Sequence, residues 1–144
     1  MGEYRFELRI NAPPGRVFEA WIDLDRMPEW VEGVTRVSDL SGPVDRPGTT
    51  YNVWFGRMRS RAEVLAVERP RLFRSRIAGG LLTAENEARF EPDGDGTRLV
   101  QTFRSHGLMA ALWARIFATG SWKGSFRGEL NTFARLVEAD AHKS

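Results

Sequence analysis

The chain has 144 residues, 42% of them hydrophobic, with 21 basic and 19 acidic residues, two histidines and no cysteine. That length is enough for one domain over residues 1–144 with a sizeable core or an enclosed cavity, while the missing cysteines exclude disulfides, thiolate catalysis and cysteine-based metal sites. Basic and acidic residues are interspersed and no window is apolar enough to span a bilayer, so a cytoplasmic protein with no nucleic-acid partner and no integral membrane segment is expected.

Tyr4, Phe6, Leu8 and Ile10 alternate with Arg5, Glu7 and Arg9, the period of a strand with one buried face. Asn11-Ala12-Pro13-Pro14 ends it, and proline suits the first turn of the helix that follows, where its missing N–H costs nothing. Val17, Phe18, Trp21 and Ile22 form the apolar side of that helix. A second short helix is predicted over 24–30, with Asp23 as N-cap and Gly33 as its stop. Six strands follow, over 34–40, 49–55, 57–68, 72–77, 83–91 and 97–105. Turn residues separate them, and Pro92-Asp93-Gly94-Asp95-Gly96 is the strongest hairpin signal in the chain. Residues 108–138 contain no proline, and Leu108, Leu112, Arg115, Thr119, Trp122, Phe126, Leu130, Phe133 and Val137 fall in one narrow stripe at the helical period. A long helix is predicted there. Consecutive strands joined by tight turns make an antiparallel sheet, whose twist curls it around the long helix covering its apolar face.

Several segments then carry a resemblance: INAPPGRVFEAWIDLDRMPEW, GVTRVSDLSGPVDRPGTTY, AEVLAVERPRLFRSRI and FEPDGDGTRLVQTF. In this order of elements they resemble the START-related, polyketide-cyclase-like (SRPBCC) superfamily over nearly the whole chain. Ala12-Pro13-Pro14, Val17-Phe18, Trp21, Pro28-Glu29-Trp30 and Gly94-Asp95-Gly96-Thr97 stand in the family's usual places. The resemblance implies an α+β helix-grip fold, in which a curved seven-stranded antiparallel sheet wraps around a long C-terminal helix. Two short helices lie between strands one and two, and a cavity lies between sheet and helix. Members include lipid and hormone binders, aromatase/cyclases and chaperone-activator-like proteins. SGPVDRPGTTY replaces the glycine-rich loop of the plant ligand-binding members, and no short motif transfers a residue role.

Alternation sorts the two sheet faces. Arg57, Arg59, Arg61 and Glu63, then Arg74 and Arg76, Glu85, Glu87, Arg89 and Glu91, and Arg98, Thr102 and Arg104 share the outer face, where cross-strand ion pairs are expected. The opposite face carries small residues, including Ala62, Ala84 and Ala88, where a close-packed core would hold larger aliphatics. Either space is retained there or helix side chains fill it. The cavity set is Tyr51, Val53, Phe55, Met58, Ser60, Phe73, Ser75, Asn86, Phe90, Leu99, Gln101 and Phe103 from the sheet, with Leu112, Arg115, Thr119, Trp122 and Phe126 from the helix. Ser60, Ser75, Asn86 and Gln101 supply the sparse polar groups of a mostly apolar pocket. Arg115 has three outcomes open to it: anchoring an anionic ligand head, pairing with an acid such as Asp39, or snorkelling to solvent.

His106 and His142 belong to no triad or metal-ligand spacing, and the glycines form no phosphate loop, so neither metal nor cofactor is expected. The leading functional expectation is a carrier of a small hydrophobic molecule of lipid, polyketide or aromatic type. The alternative is a polyketide cyclase/dehydratase-type enzyme in which Arg115, His106, Tyr51 or Asn86 polarises a carbonyl. A chaperone-activator-like interaction module is the third. Trp113 and Phe117 beside Gly120 and Gly124 suggest a homodimer contact, with a glycine-weakened gate as the alternative.

Overall fold

A computed structural model describes residues 2–31, 33–79, 82–107 and 121–142, with the backbone alone at 82, 106, 121–127 and 142. Seven strands, β1 (Gly2–Ile10), β2 (Arg36–Ser38), β3 (Thr50–Phe55), β4 (Met58–Glu68), β5 (Leu72–Gly79), β6 (Leu82–Asp93) and β7 (Gly96–Gly107), form one antiparallel sheet in the order β1-β7-β6-β5-β4-β3-β2. Helices α1 (Pro14–Ile22) and α2 (Met27–Trp30) connect β1 to β2, and α3 (Ser121–His142) follows the sheet. The α+β helix-grip architecture is the one implied by the sequence.

Local chemistry accounts for the boundaries. Pro14 opens α1, and the 12-residue strands β6 and β7 turn through Gly94 at φ 62°, a left-handed conformation that glycine adopts without a Cβ penalty. The segment predicted as one helix over 24–30 is split into a single 3-10 turn, Leu24–Arg26, and the one-turn α2. Asp23 makes no side-chain cap; its backbone N–H instead closes α1 on the Ala20 carbonyl. Helix α2 ends at Trp30, and Gly33, at φ 86°, turns the chain only after that. Strand β2 is shorter than predicted because Asp39, at φ 59°, leaves the extended conformation. Helix α3 runs four residues beyond the predicted end, to His142, while 108–120 lie outside the described residues.

Strand β4 carries one irregularity that the alternation does not reveal. Val64 pairs with Ser75 but Ala66 pairs with Arg74, leaving Leu65 as an extra residue. Such a bulge bends its strand and increases local twist, which curls β3 and β4 toward α3. It also moves the inward parity from Val64 to Val67, which stands opposite the buried Phe73.

The end of the concave face nearest α1 is solidly packed. Phe133 of α3 meets Trp21 at 5.2 Å and Trp30 at 4.8 Å between ring centroids, and Phe90 of β6 meets Phe18 at 5.5 Å and Trp21 at 5.9 Å. Edge-on and tilted aromatic pairs of this kind add about 0.5–1.5 kcal/mol each beyond area burial. Leu130, Ala134 and Val137 are also buried on α3. On the convex face Arg76 pairs with Glu63 at 2.9 Å, Arg98 with Glu7 at 2.6 Å and Arg74 with Glu85 at 3.7 Å. These are the cross-strand ion pairs expected, each contributing no more than about 1 kcal/mol at the surface. Among the described residues no helix is long and apolar enough to cross a membrane.

Candidate functional site

Register places the inward side chains in rows across the sheet. Phe6, Gln101, Ala88, Phe73 and Val67 form one row, and Tyr4, Phe103, Asn86, Ser75 and Val64 the next. The third row is Gly2, Ser105, Ala84, Ile77, Ala62 and Tyr51, and four of its six members are glycine, alanine or serine. Side-chain volume therefore falls away from the aromatic end of the face toward the β3–β4 and β5–β6 hairpins. At that end Gly79 extends the trend, because a Cβ there would stand 2.9 Å from Ser60 Oγ.

Across these rows runs a diagonal of neutral polar groups. Gln101 Nε2 on β7 donates to Asn86 Oδ1 on β6 at 2.9 Å. Asn86 stands opposite Ser75 on β5, and the Ser75 side chain comes close enough to the Tyr51 phenol on β3 to influence its titration. Burial pushes the Tyr51 phenol from its ordinary 10.0 up to about 12, with Ser75 acting weakly in the opposite sense. Tyr51 is thus a neutral phenol at physiological pH. Two buried atoms of this face lack partners among the described residues: Gln101 Oε1 and Ser105 Oγ, on residues 5% and 0% exposed. No inward-facing residue among those described on the sheet is charged.

The sheet members of the sequence-derived cavity set divide into three groups. Tyr51, Val53, Ser60, Ser75, Asn86, Gln101 and Phe103 lie on the part of the concave face away from the aromatic end, where Phe55 is half-buried. Phe73, Phe90 and Leu99 are buried toward the aromatic end, with Phe90 against Phe18 and Trp21. Met58 is corrected from wall to rim. Its parity is inward, but at the first position of β4 it stands 62% exposed, beyond the reach of any covering element among the described residues.

The helix members Leu112, Arg115 and Thr119 lie outside the described residues, as do Trp113, Phe117 and Gly120 of the expected dimer contact. Trp122, Gly124 and Phe126 fall on α3, where the backbone alone is described, and His106 falls on β7 in the same way. Asp39, considered as a partner for Arg115, accepts hydrogen bonds from Ser38 Oγ at 2.8 Å and Asn52 Nδ2 at 2.9 Å. The Ser38 bond first, and then that of Asn52, hold its carboxyl below the usual carboxylate range.

Sequence reasoning left Tyr4, Phe6 and Ser105 out of the cavity set. The alternation Tyr4, Phe6, Leu8 carried the signal, but only the β1–β7 register puts Phe6 beside Gln101 and Tyr4 beside Phe103.

A separate open groove of about 780 Å³ lies outside the concave face, between α1, the β4–β5 turn and the end of α3. Two ion pairs cross its walls, Arg69 with Glu19 and Arg26 with Asp140. Among the described residues no three acids or histidines converge as metal ligands.

A curved antiparallel sheet closed over a C-terminal helix, with a polar diagonal on its concave face, defines a helix-grip protein of ligand-binding or cyclase type. The chain belongs to the polyketide cyclase/dehydrase and lipid transport family, whose sequence profile matches residues 1–138. No curated protein matches it. Among solved structures it resembles protein TTHA0849 from Thermus thermophilus, with a TM-score of 0.73 and 23% identity over 97% of this chain and 99% of that one. Protein MLL2253 from Mesorhizobium loti gives a TM-score of 0.77 at 16% identity, covering 96% and 98%. The di-domain ARO/CYC StfQ of the steffimycin biosynthetic pathway gives 0.75 at 13% identity, covering 97% of this chain and 51% of StfQ. At these identities the likeness establishes the fold.

Proposed function

We propose that the protein binds and carries a small hydrophobic molecule, of lipid, polyketide or aromatic type, between the concave face and the C-terminal helix. The observation that carries the reading is the row Gly2, Ser105, Ala84, Ile77, Ala62, Tyr51, which lies at the opposite end of the concave face from the packed aromatic cluster and contains a buried hydroxyl with no partner among the described residues. Native cores are filled to crystal-like density and pair their polar atoms. A stretch of small side chains with an orphaned Ser105 is the lining of a site with few polar contacts. Membership in a cyclase/dehydrase and lipid transport family supports the same reading. Leu112, Arg115, Thr119, Trp122 and Phe126 would supply the roof. Titration with the neutral fluorophore N-phenyl-1-naphthylamine should give saturable binding with one dye per chain; absence of saturable uptake would refute the proposal.

A second reading, cyclase/dehydratase chemistry on a ligand in the same place, is favoured by Tyr51. A buried phenol that stays protonated can donate to a carbonyl oxygen as charge develops on it. On this reading Tyr51→Phe abolishes turnover of a poly-β-ketone substrate while leaving dye affinity intact. Unchanged turnover would remove Tyr51 from the chemistry.

A further inference from the structure

Gln101 and Asn86 are joined by one hydrogen bond that leaves each amide with a group to spare. Gln101 Nε2 donates to Asn86 Oδ1 at 2.9 Å, so Gln101 Oε1 remains as an acceptor and Asn86 Nδ2 keeps its protons to donate. Gln101 Oε1 is buried and without a partner. Turning both amides over merely exchanges the roles, since a pair linked once always retains one donor and one acceptor.

Neighbours on the sheet cannot satisfy this pair or Ser105. Gln101 lies between Phe6 and Ala88, and Ser105 between Gly2 and Ala84, none of which carries a polar side-chain atom. The buried α3 residues Leu130, Phe133, Ala134 and Val137 are apolar as well. Four residues separate Gln101 from Ser105 along β7, about 13 Å at the rise of an antiparallel strand, so one group cannot serve both. A buried carbonyl left unpaired loses its hydration with nothing gained, so its partner comes from beyond the described residues, and a bound ligand is the source that the carrier reading supplies.

The chemistry of that partner follows from what is presented. A carboxylate only accepts, and its charge would face the Gln101 carbonyl oxygen. A ketone also only accepts, and a hydrocarbon does neither. A hydroxyl can donate to Gln101 Oε1 and accept from Asn86 Nδ2 through a single oxygen. We propose that the carried molecule is an uncharged alcohol or phenol whose hydroxyl is read by the Gln101–Asn86 pair, with Ser105 as a second polar contact farther along β7. This rests on the carrier reading above and adds the ligand's polar group to it.

The test compares 2-naphthol, 2-methylnaphthalene and 2-naphthoate as displacers of N-phenyl-1-naphthylamine at pH 7. The first two have nearly the same shape and differ in hydroxyl against methyl. The wild-type protein should prefer 2-naphthol over 2-methylnaphthalene by at least about tenfold, or about 1.4 kcal/mol. Gln101→Met, close in volume but without the acceptor, should cut that preference to about threefold or less by weakening 2-naphthol alone. Equal affinities of the two neutral compounds in the wild type would overturn the inference while leaving the carrier reading intact. Tightest binding of 2-naphthoate would overturn it in favour of an anion site. Failure of the dye itself to bind would overturn the carrier reading, and this inference with it. The wild-type ratio decides even if the variant does not fold.

Discussion

Among the described residues Tyr51 is the one whose proton the fold holds most differently from the free side chain. Its folded pKa, about 12, lies above the ordinary 10.0, so the folded state holds the phenolic proton more tightly than the unfolded chain. Its contribution is complete below pH 10 and is lost as pH rises toward 12, and a shift of this size corresponds to about 3 kcal/mol. Urea denaturation at pH 9 and pH 11.5 should show the wild type losing on the order of 2 kcal/mol more than Tyr51→Phe across that interval. Equal losses would mean that the phenol is not desolvated. Alternation with Val53 and Phe55 makes the inward position of Tyr51 legible in the sequence. Its closeness to Ser75 is not legible, because it depends on the pairings of β3, β4 and β5 and on a bulge. Met58 shows the opposite limit: parity gives the direction of a side chain but not where the cover above it ends.

At the scale of elements, α3 and the two short helices hold the closed end of the grip. Phe133, 1% exposed, bridges Trp21 of α1 and Trp30 of α2. Phe133→Ala should therefore destabilise the protein by about 3–5 kcal/mol, the usual cost of removing a buried phenylalanine and leaving its cavity. Chemical denaturation measures it, and a loss below about 1 kcal/mol would show that the aromatic cluster is not the anchor of the helix. The strand sequence and the turn at Gly94 were readable because each depends on a few adjacent residues. The split of the second helix was not, since the Asp23 side chain, the apparent cap, makes no cap bond in the folded chain. The bulge at Leu65 was hidden for another reason: Val64, Leu65, Ala66 and Val67 are all apolar, so the pattern gives no sign of a skipped parity.

Across the whole molecule the concave face is divided between two tasks. The aromatic end supplies stability, and the rows from Gln101 to Tyr51 supply small side chains and neutral hydrogen-bonding groups. This division was partly visible in the sequence, as alanine and serine alternating with aromatic residues. The identity of the neighbours that leave Gln101 Oε1 and Ser105 Oγ unpaired emerged only from the register. Ala84 lies at the centre of the small-residue row and offers the sharpest test. Overpacking a filled core costs about 1–3 kcal/mol, whereas a phenylalanine entering retained space costs little. Native mass spectrometry should be performed on the purified wild type and on Ala84→Phe, before and after organic extraction. The account predicts a non-covalent adduct on the wild type that is removed by solvent and is missing from the variant, which remains within about 1 kcal/mol of wild-type stability. A bare wild-type chain that takes up no added apolar compound, together with a strongly destabilised Ala84→Phe, would contradict it.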